Sequence, residues 1–203
     1  MNNTSERDHW EGRYNANEPP PWDTGRVSLE LQRRITEYKI QPCRAVEFGC
    51  GTGTNAIWLA QNGFDVTAID ISPTALARAA QNAAQAGVSI RFVPADVAAP
   101  PDLGDPFSFF FDRGCYHAVR RSNATGILKS LDRHSSPNAM GVVLTGNAKE
   151  ERKPGPPVVT EAIIRAELGS IFEIVSLDEF RFDQSESDGH RHLGWSVVLR
   201  KPS

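Results

Sequence analysis

The sequence has few cysteines, no long apolar run and no excess of positive charge. Its three cysteines (Cys43, Cys50 and Cys115) are odd in number and scattered, so no disulfide framework is predicted. Lysine and arginine total 22 against 25 aspartates and glutamates. This balance lacks the basic surface that binds nucleic acid or an anionic membrane. No stretch approaches the roughly 18 apolar residues of a membrane-spanning helix.

What remains is the composition of a globular protein. Of the 203 residues, 39% are hydrophobic and 23% charged, and no internal repeat is visible. Residues 1–10 are polar, which disfavours a secretory signal. We expect one domain over residues 1–203, located in the cytoplasm, as a monomer or weak dimer, with neither nucleic acid nor membrane as partner.

Predicted strands and helices alternate along most of the chain. Apolar runs predict strands over 45–48, 64–69, 89–94, 107–111, 141–145, 172–177 and 194–199. Helical spacing and stop signals predict helices near the N-terminus and over 27–38, 54–62, 74–86, 124–131 and 160–168. This order predicts an α/β fold with a Rossmann-like, doubly wound, mostly parallel sheet whose last strand is antiparallel. The polar stretch 183–189 predicts an exposed loop.

A glycine-rich turn follows the first predicted strand. Residues 47–53 read Glu-Phe-Gly-Cys-Gly-Thr-Gly, and glycines there allow a tight turn and close approach of a ligand. Asp70 and Asp96 end the next two predicted strands, where an acid can bind ribose hydroxyls. The three segments share one edge of the predicted sheet, which favours a nucleoside-type ligand over an ordinary turn with two capping acids.

The spacing of the glycines within the turn narrows the choice of ligand. Dinucleotide sites have the pattern G-x-G-x-x-G, whereas here the glycines are Gly49, Gly51 and Gly53, with Glu47 in front. No P-loop lysine follows, and an acid beside the turn disfavours a phosphate. A ligand with an ammonium group tolerates that acid.

These residues resemble a known family. The pattern E-x-G-x-G-x-G with Asp70 and Asp96 downstream is similar to class I S-adenosylmethionine-dependent methyltransferases. Further stretches resemble the thiopurine S-methyltransferase family, including its halide/thiol branch: Trp10-x-x-x-Tyr14, Pro21-Trp22-Asp23-x-Gly25, Asp112-Arg113-Gly114 and Gly155-Pro156-Pro157-Val158. The pair Cys115-Tyr116 departs from that family, and this departure bears on the acceptor and not on the cofactor.

The resemblance implies S-adenosylmethionine as cofactor and S-adenosylhomocysteine as product. The residues implied to contact the cofactor are Trp10, Tyr14, Trp22, Glu47, Gly49, Cys50, Gly51, Gly53, Asp70, Ile71, Asp96, Val97 and Arg113. Within this set, Gly49 is expected at the methionine part and Asp70 at the ribose. Ile71 is expected on the adenine face, and Asp96 with the Val97 backbone at the adenine edge.

Residues 1–25 are expected to form an N-terminal helical lid over the cofactor. Trp10, Tyr14 and Trp22 lie in a polar segment that cannot build a core alone. Their aromatic faces would attract the cationic sulfonium, and a closed lid would exclude water. The alternative is that they only attach the N-terminal helix to the domain, and both roles can hold together.

Two residues after the fourth strand are candidates for a catalytic role. Arg113 is expected to hold the cofactor carboxylate or attract an anionic acceptor, with a salt bridge to Asp112 as the alternative. His117 is a candidate base or a structural histidine. Cys50 and Cys115 are expected to be packing residues, because methyl transfer from a sulfonium needs no enzyme nucleophile.

A histidine pair in the late loop is expected to border the acceptor pocket. It consists of His190 and His192 on either side of Arg191. Because no cysteine or acid stands at metal-ligand spacing from them, no metal is predicted.

The predicted reaction is methyl transfer to a small, soft nucleophile, in the first place a thiol. A thiol needs little help from a base because its pKa of about 8.5 leaves some thiolate at neutral pH. The alternatives are another small-molecule acceptor (oxygen, nitrogen, halide or metalloid), RNA or protein, and a catalytically inactive cofactor-binding regulator.

Overall fold

The structure is a computed structural model that describes residues 3–151, 155–183 and 189–203. Its helices are α1 (Asn3–Tyr14), α2 (Leu29–Glu37), α3 (Thr54–Gln61), α4 (Pro73–Gln85), α5 (Cys115–His134) and α6 (Glu161–Glu167), the last followed by a 3-10 turn over Leu168–Ser170. Its strands are β1 (Arg44–Phe48), β2 (Asp65–Asp70), β3 (Arg91–Pro94), β4 (Phe107–Arg113), β5 (Ser135–Asn147), β6 (Val158–Val159), β7 (Glu173–Arg181) and β8 (Leu193–Arg200).

The strands form one sheet in the order β3-β2-β1-β4-β5-β8-β7, and the short β6 pairs with β5 beside this path. Strands β1 to β5 run parallel, whereas β8 is antiparallel to both of its neighbours. The predicted fold class and the antiparallel last strand are confirmed. The predicted loop over 183–189 lies mostly outside the described residues.

Both faces of the sheet are buried, as continuous apolar strands require. On β4, Phe110 belongs to the cluster that contains Phe48 and Trp195, whereas Phe109 and Phe111 belong to the cluster on the other face. In the described part of the chain, no helix is long and apolar enough to cross a bilayer.

Helix α5 begins nine residues before the predicted start at residue 124. Asp112 explains the early start, because its carboxylate accepts hydrogen bonds from the backbone N–H groups of Cys115 (3.0 Å) and Tyr116 (2.8 Å). The helix also bends at Asn123, which has φ −148° and ψ 65°. The prediction found only the half beyond this bend, where Ile127 and Leu131 are buried. Strand β5 likewise starts at Ser135, and not at 141.

The register of the central strands brings the predicted site residues to one edge. Phe48 on β1 pairs with Ile69 on β2 and with Asp112 on β4. The glycine turn, Asp70 and Arg113 therefore lie at the carboxyl ends of three neighbouring strands, where open α/β sheets bind ligands.

Candidate active site

A cavity of about 970 Å³ opens at this edge of the sheet. Thirteen of the fourteen predicted site residues line it: Trp10, Tyr14, Trp22, Glu47, Gly49, Cys50, Gly51, Asp70, Ile71, Asp96, Val97, Arg113 and His117. The exception is Gly53, which has φ +82° and begins α3, where an added Cβ would lie 3.0 Å from the Cβ of Ala79. Gly53 therefore shapes the turn and does not line the wall of the cavity.

Asp70 holds the glycine turn in place. Its Oδ2 accepts a hydrogen bond of 2.8 Å from Gly51 N–H, and its Oδ1 accepts one of 2.9 Å from Ser72 N–H. Burial raises the pKa of Asp70 above its usual range. The capping role that the sequence left as an alternative is thus present. Each carboxylate oxygen also has a second lone pair that can accept a ligand hydroxyl.

Asp96 combines a turn contact with a place in the cavity wall. Its Oδ1 accepts a hydrogen bond of 2.8 Å from Ala98 N–H, which fixes the turn after β3. Its neighbour Val97 is buried, and both residues line the cavity together with Ile71. Two apolar side chains beside an acid are suited to a flat heteroaromatic ring with polar edge groups.

The N-terminal segment covers the cavity and is fixed by aromatic contacts. Trp22 Nε1 donates a hydrogen bond of 3.2 Å to the hydroxyl of Tyr14. The rings of Trp10 and Trp22 meet edge to face at 5.7 Å, and the Arg13 guanidinium lies 4.9 Å from the Trp22 ring. The aromatic residues therefore both attach the segment and line the cavity.

Polar contacts that the sequence did not reveal also hold this segment. Glu11 on α1 accepts hydrogen bonds from the Ser72 hydroxyl (2.6 Å) and from the hydroxyl of Thr74. Against the opposing effect of burial, these bonds hold the pKa of Glu11 below its usual range. In the following loop, Asp23 accepts a hydrogen bond of 2.7 Å from the Thr52 hydroxyl.

Glu47 is a buried acid at the base of the cavity. Its Oε1 accepts a hydrogen bond of 3.2 Å from the Asn55 side chain, and its Oε2 has no hydrogen-bond partner among the described residues. Burial raises the pKa of Glu47 to about 8. At neutral pH the carboxyl is therefore mostly protonated, and a cation beside it would favour its ionised form.

Arg113 reaches across the mouth of the cavity. Its Nη1 donates a hydrogen bond of 3.1 Å to the carbonyl of Trp22, and its Nη2 lies 3.7 Å from the carboxylate of Asp183. Its buried Nε has no partner within the described ranges. The salt bridge to Asp112 that the sequence left open is not the observed pairing, because the Asp112 carboxylate caps α5.

His117 is held neutral. Its Nδ1 accepts a hydrogen bond of 2.9 Å from Gly146 N–H, which places the ring proton on Nε2. Burial, together with the charge of Arg113, lowers the pKa of His117 to about 3. A histidine in this state donates a hydrogen bond but is a poor proton acceptor, which favours the structural alternative over the role of a base.

The two cysteines at the cavity pack against neighbouring residues. Burial raises the pKa of both the Cys50 and the Cys115 thiols. Cys115 also fills the space in front of Gly49, where an added Cβ would lie 2.6 Å from the Cβ of Cys115. This agrees with the predicted packing role.

The late histidines border the cavity, as predicted, but they have an acidic neighbour. Both His190 and His192 line the cavity wall, and their rings meet edge to face at 4.5 Å. The carboxylate Oε2 of Glu150 lies 3.6 Å from His190 Nε2 and 3.8 Å from His192 Nδ1. Glu150 was not predicted from the sequence, because it lies 40 residues before His190.

Comparisons with known proteins find methyltransferases. A family model described as "Methyltransferase domain" matches residues 45–138. The chain is 25% identical over 198 residues to the 2-heptyl-1-hydroxyquinolin-4(1H)-one methyltransferase of Mycobacteroides abscessus, covering 93% of this chain and 86% of that protein. It is 20% identical over 112 residues to the probable S-adenosyl-L-methionine-dependent methyltransferase TehB of Haemophilus influenzae, covering 55% of this chain and 39% of TehB.

Solved structures show the same fold. The structure described as "Conversion of a Disulfide Bond into a Thioacetal Group during Echinomycin Biosynthesis" matches with a TM-score of 0.83 at 22% identity, over 97% of this chain and 91% of that one. The N-methyltransferase NodS of Bradyrhizobium japonicum, in complex with S-adenosyl-l-homocysteine, matches with a TM-score of 0.69 at 15% identity, over 100% of both chains. The matched methyltransferase domain spans β1 to β4, whose carboxyl ends border the cavity, and the chain is an S-adenosylmethionine-dependent methyltransferase.

Proposed function

We propose that this enzyme methylates a small molecule at an acidic, soft atom, in the first place the sulfur of a thiol. The observation that carries the proposal is that a charged Arg113 and a neutral His117 line the same cavity. Arg113 carries a charge and a buried Nε without a partner among the described atoms, whereas burial and the charge of Arg113 keep His117 neutral. Such a site attracts an acceptor that arrives as an anion and gives little help to one that must lose a proton there.

The residues present fit the cofactor. The partnerless Oε2 of Glu47 is suited to the ammonium of the methionine part, and Arg113 to its carboxylate or to an anionic acceptor. Asp70 would bind the ribose hydroxyls with its remaining lone pairs. Ile71, with Asp96 and Val97, would enclose the adenine. The glycine turn allows the ligand to approach the backbone closely.

The protein itself contributes by aligning the two reactants and by excluding water from the site. Bound S-adenosylmethionine supplies a methyl group already activated by its sulfonium. Arg113 would hold the acceptor thiolate and favour its ionised form, because a nearby cation lowers the pKa of a thiol. Trp10 and Trp22 cover the site and keep water out, and the fixed walls hold the two reactants in line.

A sulfur acceptor has support outside the cavity. The solved structure with a TM-score of 0.83 concerns the conversion of a disulfide bond into a thioacetal group, which is chemistry at sulfur. The stretches around Trp10, Trp22 and Arg113 resemble the thiopurine S-methyltransferase family. Membership of that subfamily is part of this proposal.

A hydroxylated heteroaromatic compound is a second candidate acceptor. The mycobacterial relative, aligned over 93% of this chain, is named for a 1-hydroxyquinolin-4-one. An acidic hydroxyl on such a ring also ionises without a strong base, so the same pocket chemistry would serve it.

A panel of acceptors tests the proposal. The purified enzyme is incubated with S-adenosylmethionine and, separately, with aliphatic and aromatic thiols, 1-hydroxyquinolones, halides, RNA and protein, and methylated products are identified by mass spectrometry. We expect transfer to thiols, at a rate that rises with pH as the thiol ionises. Transfer to RNA or protein alone would overturn the proposal.

Arg113→Gln tests the assigned role of the guanidinium. It should raise the KM for an anionic acceptor, the cofactor or both, because each loses a charge-assisted partner. Arg121→Gln, at an exposed arginine on α5, is the matched control and should leave both values unchanged. Equal behaviour of the two variants would contradict the role of Arg113.

A further inference from the structure

Glu150, His190 and His192 form a cluster at the rim of the cavity, named here the rim triad. One ligand atom from each of the three residues can be chosen so that all lie within 4.8 Å of one another. The three come from two separate segments, since Glu150 follows β5 and the histidines precede β8. The Glu150 side chain is only 8% exposed, and those of the histidines are about one-fifth exposed at 22% and 19%.

The carboxylate of the triad is already oriented. Glu150 Oε2 accepts a hydrogen bond of 2.6 Å from the backbone N–H of Leu193, the first residue of β8. A fixed partner of this kind orients ligating side chains in metal sites. Because Oε1 belongs to the same carboxylate, this hydrogen bond also limits the direction in which Oε1 points.

The spacing is close to that of a zinc site. Bonds of about 2.1 Å from Zn²⁺ to nitrogen and oxygen place neighbouring tetrahedral ligands about 3.4 Å apart. The carboxylate-to-ring distances in the triad are 3.6 Å and 3.8 Å. Small side-chain rotations would therefore bring the three ligand atoms around one ion.

We propose that the rim triad binds one divalent transition-metal ion, with Zn²⁺ as the probe. Two imidazoles and one carboxylate match the ligand set of zinc sites that keep a fourth position open. Because His190 and His192 also line the cavity, the open position would face its interior.

An ion at this place has a consequence for the acceptor, and this step rests on the proposed function. A thiol that entered the open position would release its proton to solvent and bind Zn²⁺ as a thiolate through a new sulfur–zinc bond. Zinc and Arg113 would then act on the same anion.

Zinc binding is measured directly, without the methyl donor. The untagged full-length chain, freed of metal by a chelator, is titrated with Zn²⁺ in a calorimeter. We expect one Zn²⁺ per chain. Affinity should fall about tenfold or more in Glu150→Gln and in His192→Gln, because even the partners that orient metal ligands are worth 10- to 100-fold. Glu151→Gln, at the exposed neighbouring acid, is the matched control and should bind as the wild type does.

A spectroscopic arm tests the ligand set and the open position. Co²⁺ replaces Zn²⁺, and its visible absorption reports the coordination number. Addition of a small thiol should produce a sulfur-to-cobalt charge-transfer band, which Glu150→Gln weakens. Circular dichroism shows whether each variant is folded. Two triad variants are used so that the test still holds if one of them does not fold.

The outcomes separate this inference from the proposed function. Absence of saturable Zn²⁺ binding, or equal affinity in wild type and both triad variants, overturns the metal site even if thiols are methylated. Stoichiometric Zn²⁺ binding that the variants lose supports the site even if only RNA or protein is methylated, a result that would overturn the proposed function alone.

Discussion

Replacement of Asp70 by asparagine separates the two tasks proposed for this carboxylate. In the structure it accepts hydrogen bonds of 2.8 Å and 2.9 Å from the backbone of Gly51 and Ser72. Asparagine keeps one acceptor oxygen and turns an NH₂ group towards the other donor. A lost hydrogen bond to a charged group costs about 1.5–3 kcal/mol. Since 1.4 kcal/mol is a factor of ten, we expect cofactor affinity to fall about 10- to 100-fold.

Calorimetry with two ligands shows where that loss arises. Wild type and Asp70→Asn are titrated with S-adenosylhomocysteine and with its 2′-deoxy analogue. If Asp70 binds the ribose, the missing hydroxyl weakens binding to the wild type far more than to the variant. Asp65→Asn, at the exposed first residue of the same strand, is the control. Unchanged affinity in Asp70→Asn, or an equal effect of the hydroxyl in both proteins, would refute the ribose contact.

The remaining predictions concern the turn and two buried titratable groups. Gly51→Ala should lower thermal stability, measured by unfolding, and cofactor affinity, measured by calorimetry, more than Gly87→Ala does. Both glycines have positive φ, but only at Gly51 would the new Cβ meet another group, the Tyr14 hydroxyl at 2.6 Å. As pH rises from about 5 to 8, the wild type should lose stability to urea relative to Glu47→Gln, because Glu47, with a pKa of about 8, keeps in the folded state a proton that the unfolded chain has lost. Cofactor binding near pH 7 should release a proton from Glu47, seen as a dependence of the binding heat on the buffer's ionisation heat, and no such release is expected in Glu47→Gln. The pH–rate profile should show no step from His117 between pH 5 and 8, since the pKa of His117 is about 3; a step that His117→Gln abolishes would contradict this.

The sequence predicted the centre of the sheet because the central strands are mostly buried. Apart from Glu47 and Ser108, Ala45–Phe48 and Phe107–Phe111 are apolar, and such runs mark strands covered on both faces. The start of α5 was missed for the opposite reason. There the helix depends on Asp112 binding the N–H groups of the first turn, and a capping bond leaves no periodic pattern in the sequence.

The residues of the site also divide into those with a local sequence signal and those without one. Glycines and acids at strand ends are local signals, and nearly all of these residues line the cavity. Contacts between distant segments gave no signal. Asp183 reaches Arg113 across 70 residues, and Glu150 meets His190 across 40. The tautomer of His117 depends on Gly146 N–H, a partner on β5 that only the folded chain brings near.

The side chain of Arg113 has a consequence for the timing of turnover. It joins the carbonyl of Trp22, in the N-terminal cover, to Asp183, beyond the end of β7. If an anionic acceptor binds the guanidinium as proposed, it shares that group with both of these attachments. Acceptor binding and the position of the N-terminal segment would then be linked through one side chain, and product release would depend on the acceptor.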